Sequence, residues 1–303
     1  MLKIDTKRFY FGEKSMQSLI RTMRPHEWIK NFFVLAALIF SKHVFDPDYL
    51  LRGGLAFVCF TLLSSAVYIF NDIKDRENDR QHPQKRHRPI ASGALSISVA
   101  SVAAIIFSGI ALYGGFYLHS HFGIVLLIYL AQNIAYTLHF KNVVILDVMI
   151  IAAGFLLRAI GGAVAIQVEI SSWFILCTML LALFLGFVKR RHERVLLDNE
   201  ASSHRRILEE YSLQFLDQVI AIVTAGSLVA YALYTMAPDV AQKLGTDHLN
   251  LTIPFVVYGM LRYLYLVYTK GKGGNPATTV LSDPPLLITC MLWLFTLGSV
   301  LYF

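Results

Sequence analysis

The chain has 303 residues, of which 56% are hydrophobic and only 16% charged, with a mean hydropathy of +0.55 and a net charge of +7. A water-soluble globular protein carries about 25% charged residues, so there is too little polar surface here to cover a soluble fold, and the composition points to an all-α, polytopic membrane protein. Basic loops at an anionic membrane surface account for the positive charge, and no nucleic acid is called for as a partner.

The N-terminal residues 1–27 lack the apolar core of a cleaved signal peptide. They are expected to form a cytoplasmic segment within one integral membrane domain covering 1–303. Apolar runs long enough to cross a bilayer, or nearly so, fall at about 28–42, 51–72, 95–118, 121–140, 143–166, 172–189, 214–236, 252–269 and 284–303. That predicts about nine transmembrane helices. The first opens with "RPHEWIK". There Trp28 suits an interfacial anchor, and Lys30 is either a snorkelling lysine or a phosphate ligand at the headgroup level.

The second span runs directly into "NDIKDREND" and then "RQHPQKRHRPIASG". On a helical wheel Asn71, Asp72, Asp75 and Asp79 sit at roughly 0°, 100°, 40° and 80°, one face at the end of the span. Three carboxylates on one face repel each other unless a cation lies between them. Hard oxygen ligands of this kind suit Mg²⁺, which commonly bridges one or two carboxylates to a substrate's phosphates. Lys85, Arg86 and Arg88 behind them can neutralise the remaining phosphate oxygens. The pattern reads as a metal–diphosphate site at the membrane surface; the plainer alternative is a solvated charged loop.

Tyr136 and Lys141 flank the short link after the fourth span. In the fifth, Asp147 and Arg158 are eleven residues apart, about 20° on the wheel and some 16 Å along the axis. Both can face one interior, lining a polar cavity, or Arg158 can pair structurally with another helix. After the sixth span "GFVKRRHERVLLDNE" places Lys189, Arg190 and Glu193 within about 100° of arc. Cys59, Cys177 and Cys290 lie in apolar runs without metal or redox spacing. His82, His87, His192 and His204 have no zinc-site spacing, and "GKGGNP" is not a phosphate-binding P-loop.

Orientation follows from the loops. Alternate segments carry 22 Lys and Arg on one side and three on the other, Lys42, Arg52 and Lys243. The positive-inside rule places the N-terminus and the acidic motif in the cytoplasm and the C-terminus outside the cell membrane.

The stretch "NDIKDREND" resembles the first aspartate motif, NDxxDxxxD, of the UbiA superfamily of intramembrane prenyltransferases. Nine spans with a cytoplasmic N-terminus match that superfamily too. Its typical members carry a second aspartate-rich motif after the sixth span, which helps hold a prenyl diphosphate through a second Mg²⁺. Here that position is mainly basic. With "IRTMRPHEWIKNFFVLAALIF", "LLRAIGGAVA", "GFVKRRHE" and "TIPFVVYGMLRYLYLVYT", the chain resembles the decaprenyl-phosphate phosphoribosyltransferase branch.

This resemblance implies a UbiA-like helical bundle, Mg²⁺ as cofactor, 5-phosphoribosyl diphosphate as donor and a polyprenyl phosphate in the membrane lipid as acceptor, in synthesis of cell-wall arabinan precursors. It implies that Asp72, Asp75 and Asp79, with Asn71, hold the metal and the donor diphosphate, and that Lys85 and Arg88 neutralise it. Lys141, beside Tyr136, would face the ribose 5-phosphate. Lys30, Asp147, Arg158 and Glu193 would line the substrate cavity, with Lys189 and Arg190 on the acceptor phosphate. The rival within the superfamily is a conventional prenyltransferase joining a prenyl diphosphate to an aromatic or other small acceptor. A rival from another class is a transporter, whose sites lie near the bilayer midplane on broken helices. Prenyl length and oligomeric state, a homo-oligomer included, stay open.

Overall fold

A computed structural model describes residues 6–199 and 206–302, and the side chains of 15–196 and 207–302. His204 and both extremes of the expected single domain lie outside the described residues. The described chain is helical: α1 (Thr6–Met23), a 3₁₀ segment (Pro25–Leu35), α2 (Ala36–Phe40), α3 (Pro47–Lys74), α4 (Arg76–Gln81), α5 (Ile97–Leu118), α6 (Ser120–Leu138), α7 (Leu146–Ile166), α8 (Ser172–Asn199), α9 (Leu213–Met236), α10 (Pro238–Leu244), α11 (Ile253–Lys270), α12 (Pro276–Ser282) and α13 (Pro284–Tyr302).

Eight helices among the described residues are long and apolar enough to cross a membrane: α3, α5, α6, α7, α8, α9, α11 with the turn before it, and α13. Their outer faces keep large apolar side chains exposed, among them Ile105, Tyr117, Ile222 and Phe295 at 70%, 84%, 70% and 72%. In water such a surface would aggregate; in a bilayer it is the lipid contact. The chain is a multi-pass membrane protein.

The first expected span departs from a regular α-helix. Residues 25–40 form a 3₁₀ segment followed by one short α-turn. At about 2.0 Å per 3₁₀ residue and 1.5 Å per α residue this run still covers roughly 30 Å, the hydrocarbon thickness. It passes antiparallel to α3: Trp28 donates to Ser65 Oγ at 3.2 Å, Asn31 meets Thr61 and Ser64, and Leu35 and Leu38 lie beside Gly53. Gly162 of α7 makes the tight fit feasible, since a Cβ there would stand 1.8 Å from the Val34 carbonyl oxygen. Close backbone approach at small residues is the usual basis of helix association in lipid. The run thus packs between α3 and α7, with its backbone against Gly162; of the about nine spans expected from the sequence, eight are long apolar helices among the described residues.

Local chemistry sets the helix ends. Asp46 caps α3, accepting from Asp48 N at 3.1 Å ahead of Pro47, and Ser96 and Ser212 cap α5 and α9 through Val99 N and Phe215 N. Gly271, at φ 66°, ends α11. Phe60, Leu63, Phe122 and Leu126 fill one core between the 3₁₀ segment, α3, α5, α6 and α7. Phe184, Val188, Leu216 and Tyr263 fill another among α8, α9, α11 and α13. α7 packs against both α3 and α8, joining the halves. Successive spans alternate in direction, so the C-terminal ends of α3, α6 and α8 meet the N-terminal ends of α5, α7 and α9 at one charged end of the bundle.

Candidate active site

Asp72 closes α3 and is 2% exposed; Asp79, in α4, is 4% exposed. The helix breaks between them at Asp75 (φ −92°, ψ 5°), yet Asp75 N still bonds to Asn71 O and Asp79 N to Asp75 O. The near-continuous turn brings Asp72 and Asp79 onto one guanidinium. Arg88 Nη1 donates to Asp72 Oδ1 at 3.0 Å and to Asp79 Oδ2 at 2.7 Å. Arg24 Nη2 donates to the same Asp72 oxygen at 2.5 Å, and its guanidinium lies 5.1 Å from the centre of the Tyr68 ring.

The other two members of the expected acidic face go elsewhere. Lys141 Nζ contacts Asp75 Oδ1 at 2.5 Å, and Asn71 Oδ1 accepts a hydrogen bond from Thr137 Oγ1 of α6. Asn71 and Asp75 thus tie α3 to α6 and to the link before α7, while Asp72 and Asp79 share the arginines.

A second polar cluster joins α7, α8 and the segment before α9. Asp147, fully buried, accepts from Arg190 Nε at 2.6 Å and from the Tyr211 hydroxyl at 2.6 Å. Arg190, 2% exposed, also donates through Nη1 to Glu193 Oε2 at 2.5 Å. The Tyr211 hydroxyl accepts in turn from Ile145 N at 2.7 Å. Ile145 has φ 70°, an outlier for a β-branched residue, so Tyr211 pins a strained link directly ahead of α7. Burial, with the hydrogen bond to Asp147, pushes the Tyr211 phenol above its usual range, and it remains a protonated donor.

Lys189 and Arg190 are neighbours in sequence with different situations. Arg190 is committed to two carboxylates. The Lys189 side chain is 48% exposed, 4.0 Å from Glu193, and interacts electrostatically with Lys30 and Glu27 at the start of the 3₁₀ segment. Lys30 pairs with Glu27. Tyr136 interacts electrostatically with Arg190, and Lys85 stands in the 3₁₀ turn Lys85–His87, just ahead of Arg88.

Arg158 and Asp147 share a helix but no partner. Arg158 is 5% exposed and donates to Asn31 Oδ1 at 2.8 Å, Gly154 O at 2.9 Å and Tyr129 OH at 2.7 Å, with Tyr129 and Phe155 rings beside it. All these partners are neutral. Gln132 Nε2, near Gly154, is buried without a hydrogen-bond partner. Arg262, in α11, makes a two-point contact with Asp283 at 3.1 and 2.9 Å. A cavity of about 330 Å³ opens at the opposite end beside Lys42, His43 and Phe174, and none of the charged clusters lines it.

Sequence reading did not single out Arg24, Thr137 or Tyr211. Arg24 was visible only as one more positive charge before Pro25, and Tyr211 lies 64 residues from the carboxylate it binds. Among the described residues no three His, Cys, Asp or Glu side chains converge as a closed metal-ligand set. Two carboxylates do converge on a single cationic atom, and Mg²⁺ commonly takes one or two carboxylates and completes its shell with water and phosphate. The donor set fits such an ion, which Asp72 and Asp79 would hold.

Comparison with known proteins gives the family and the fold. The profile of the UbiA prenyltransferase family matches residues 31–194. Decaprenyl-phosphate phosphoribosyltransferase of Mycolicibacterium smegmatis is 34% identical over 299 residues, covering 95% of this chain and 93% of that protein. The protein of the same name from Mycobacterium tuberculosis is 32% identical over 289 residues, covering 94% of each. A UbiA homolog from Archaeoglobus fulgidus, solved with GPP and Mg²⁺, superimposes with a TM-score of 0.69 over 94% of this chain and 100% of that one; at 16% identity it speaks for the fold alone. A helical bundle of this shape, a family profile spanning the aspartate motif and the basic end of α8, and full-length relatives together establish that the chain belongs to the UbiA prenyltransferase family.

Proposed function

We propose that the protein transfers the 5-phosphoribosyl group from 5-phosphoribosyl diphosphate to a polyprenyl phosphate, releasing diphosphate, at the cytoplasmic face of the cell membrane. The observation that carries this reading is the charge of the two clusters. One offers paired carboxylates to a metal-bound diphosphate. The other, where a second acidic motif would serve a prenyl diphosphate, presents the Lys189 ammonium beside Lys30. Likeness to full-length decaprenyl-phosphate phosphoribosyltransferases supports the same substrates.

Asp72 and Asp79 would hold Mg²⁺, which when bound neutralises the leaving diphosphate. Arg88 lies against both carboxylates and can turn to the phosphate oxygens; Lys85 adds charge behind it. Lys141, in the α6–α7 link and held by Asp75, is assigned to the ribose 5-phosphate, with Tyr136 of α6. Asn71, through Thr137, keeps the end of α3 registered against α6. Lys189 and Lys30 orient the acceptor phosphate. Arg190 keeps Asp147 and Glu193 in place beneath them. Arg158, whose partners are all neutral, lends positive potential to the cavity floor.

An oxygen of the acceptor phosphate attacks the anomeric carbon as the bond to diphosphate breaks, and the electron pair leaves with diphosphate. Attack from the opposite face inverts that centre. A phosphate monoester is already a nucleophile at pH 7, so no dedicated base is required, and catalysis rests on positioning and electrostatics.

The test is transfer of radiolabelled ribosyl phosphate to lipid in detergent, with loss on EDTA treatment and recovery with Mg²⁺. A dephosphorylated polyprenol should fail as acceptor. Lys189→Ala should raise the acceptor KM by roughly ten- to a hundred-fold, the loss of one charge-assisted phosphate contact, with little change in the donor KM. A rise confined to the donor KM would exchange the two substrate sites. Transfer of a prenyl group from a prenyl diphosphate, with none of ribosyl phosphate, would sink the proposal.

The orientation has its own test. Gln84→Cys lies at the charged end and Asp247→Cys at the opposite end, both at exposed positions. In intact cells an impermeant thiol reagent should label Asp247→Cys and spare Gln84→Cys. The reverse pattern would place the charged end outside.

A further inference from the structure

Two carboxylates and two guanidiniums meet at the end of α3, and their exposures differ. The Asp72 and Asp79 side chains keep 3% and 6% of their surface, while those of Arg24 and Arg88 keep 21% and 30%. The arginines therefore form the solvent side of the group and stand between the carboxylates and anything approaching from the charged end. The group as it stands is electrically balanced. A bare divalent cation would meet two guanidiniums already seated on its ligands. A cation that arrives with a diphosphate brings the anion those guanidiniums can take in exchange.

Arg24 is suited to such an exchange. It lies between α1 and the 3₁₀ segment with φ 55° and ψ 66°, a left-handed conformation that residues with a Cβ seldom adopt, and Pro25 follows it. Its contact with Asp72 bridges 48 residues of chain and is its one ion pair among the described residues. The Tyr68 ring beside the guanidinium offers a surface along which it can shift and stay favourably placed.

The geometry points to Arg24 as a placeholder cation and a substrate-positioning residue: it holds Asp72 in place in the resting chain, then releases that carboxylate to a divalent cation and moves onto the diphosphate oxygens. The site consequently takes its metal together with the diphosphate and only weakly without it. This inference rests on the reading of Asp72 and Asp79 as the metal–diphosphate site.

The experiment measures binding, not turnover. Mn²⁺ is titrated into the full chain in detergent and followed by electron paramagnetic resonance, alone and with inorganic pyrophosphate. The wild type should bind Mn²⁺ weakly alone and much more tightly with pyrophosphate. Arg24→Gln should bind Mn²⁺ alone about ten-fold more tightly, because its competitor for Asp72 is gone, and should lose about ten-fold of the tightening by pyrophosphate, because one charge-assisted phosphate contact is gone. Arg24→Lys, which keeps the charge, should stay close to wild type in Mn²⁺ affinity, and thermal unfolding checks that both variants fold. Opposite signs in the two titrations cannot come from loosened structure. Weakening of both together, or no change in either, overturns the placeholder role. The underlying site fails separately, if the wild type takes up no Mn²⁺ even with pyrophosphate.

Discussion

Asp72→Asn is expected to lower kcat/KM by about a thousand-fold or more in a protein that still inserts and folds. Asn keeps the shape of the side chain and removes its charge. In the resting chain the loss is tolerable, because Arg88 keeps Asp79 and Arg24 keeps the Tyr68 ring. In the reaction it is not, because the carboxylate would then no longer anchor the ion that stabilises the leaving diphosphate. Removal of a single group aimed at developing charge costs about a hundred- to a thousand-fold elsewhere, and a metal ligand shared by only two carboxylates belongs at the upper end. Asp79→Asn should behave alike. Asp75→Asn should lose less, since Asp75 faces Lys141 and not the shared arginine. Rates are to be followed with radiolabelled donor, alongside gel filtration and circular dichroism. Near-normal turnover in both Asp72→Asn and Asp79→Asn would remove the metal site from this end of the bundle.

Arg190→Ala is expected to act on stability first. It leaves Asp147, which has no exposed surface, with the Tyr211 hydroxyl as its remaining partner. Breaking a buried ion pair from one side costs about 3–5 kcal/mol, because the other charge stays behind unpaired. Thermal unfolding in detergent should show a drop of many degrees, or failure to accumulate in the membrane. Tyr211→Phe should cost about 1–3 kcal/mol, the price of an unmade hydrogen bond to a buried charge, and should also loosen the strained Ile145 link. The double variant Asp147→Asn/Arg190→Gln should be markedly more stable than the sum of its single changes implies, since it removes both charges together. Full additivity would mean that the two side chains do not meet.

A large part of the molecule could be read from local pattern. Runs of about twenty apolar residues have essentially one outcome in a bilayer, a helix that satisfies its own backbone, and the segregation of Lys and Arg to alternate loops needs no tertiary information. The aspartate spacing was legible for the same reason, as a helical wheel is a local object. The wheel could not show that Asn71 and Asp75 meet Thr137 and Lys141 of neighbouring elements. The first expected span was legible as apolar but not as 3₁₀.

By itself, then, the sequence determined the membrane class, the positions of the eight long apolar helices, the paired acidic and basic character of one end, and the family. Only the tertiary structure decided which charge meets which. Arg24 finds Asp72 across 48 positions, Arg190 finds Asp147 across 43, and Arg158 finds Asn31 across 127. Asp147 and Arg158, one cavity pair on the wheel, belong to different clusters. Neighbouring Lys189 and Arg190 divide into a half-exposed ammonium and a buried guanidinium. The physical reason is that hydrophobic periodicity records only which face of a helix turns inward. Pairing of buried charges is set by the depth and rotation at which helices pack, and that packing is governed by a few close contacts such as Gly162 on Val34.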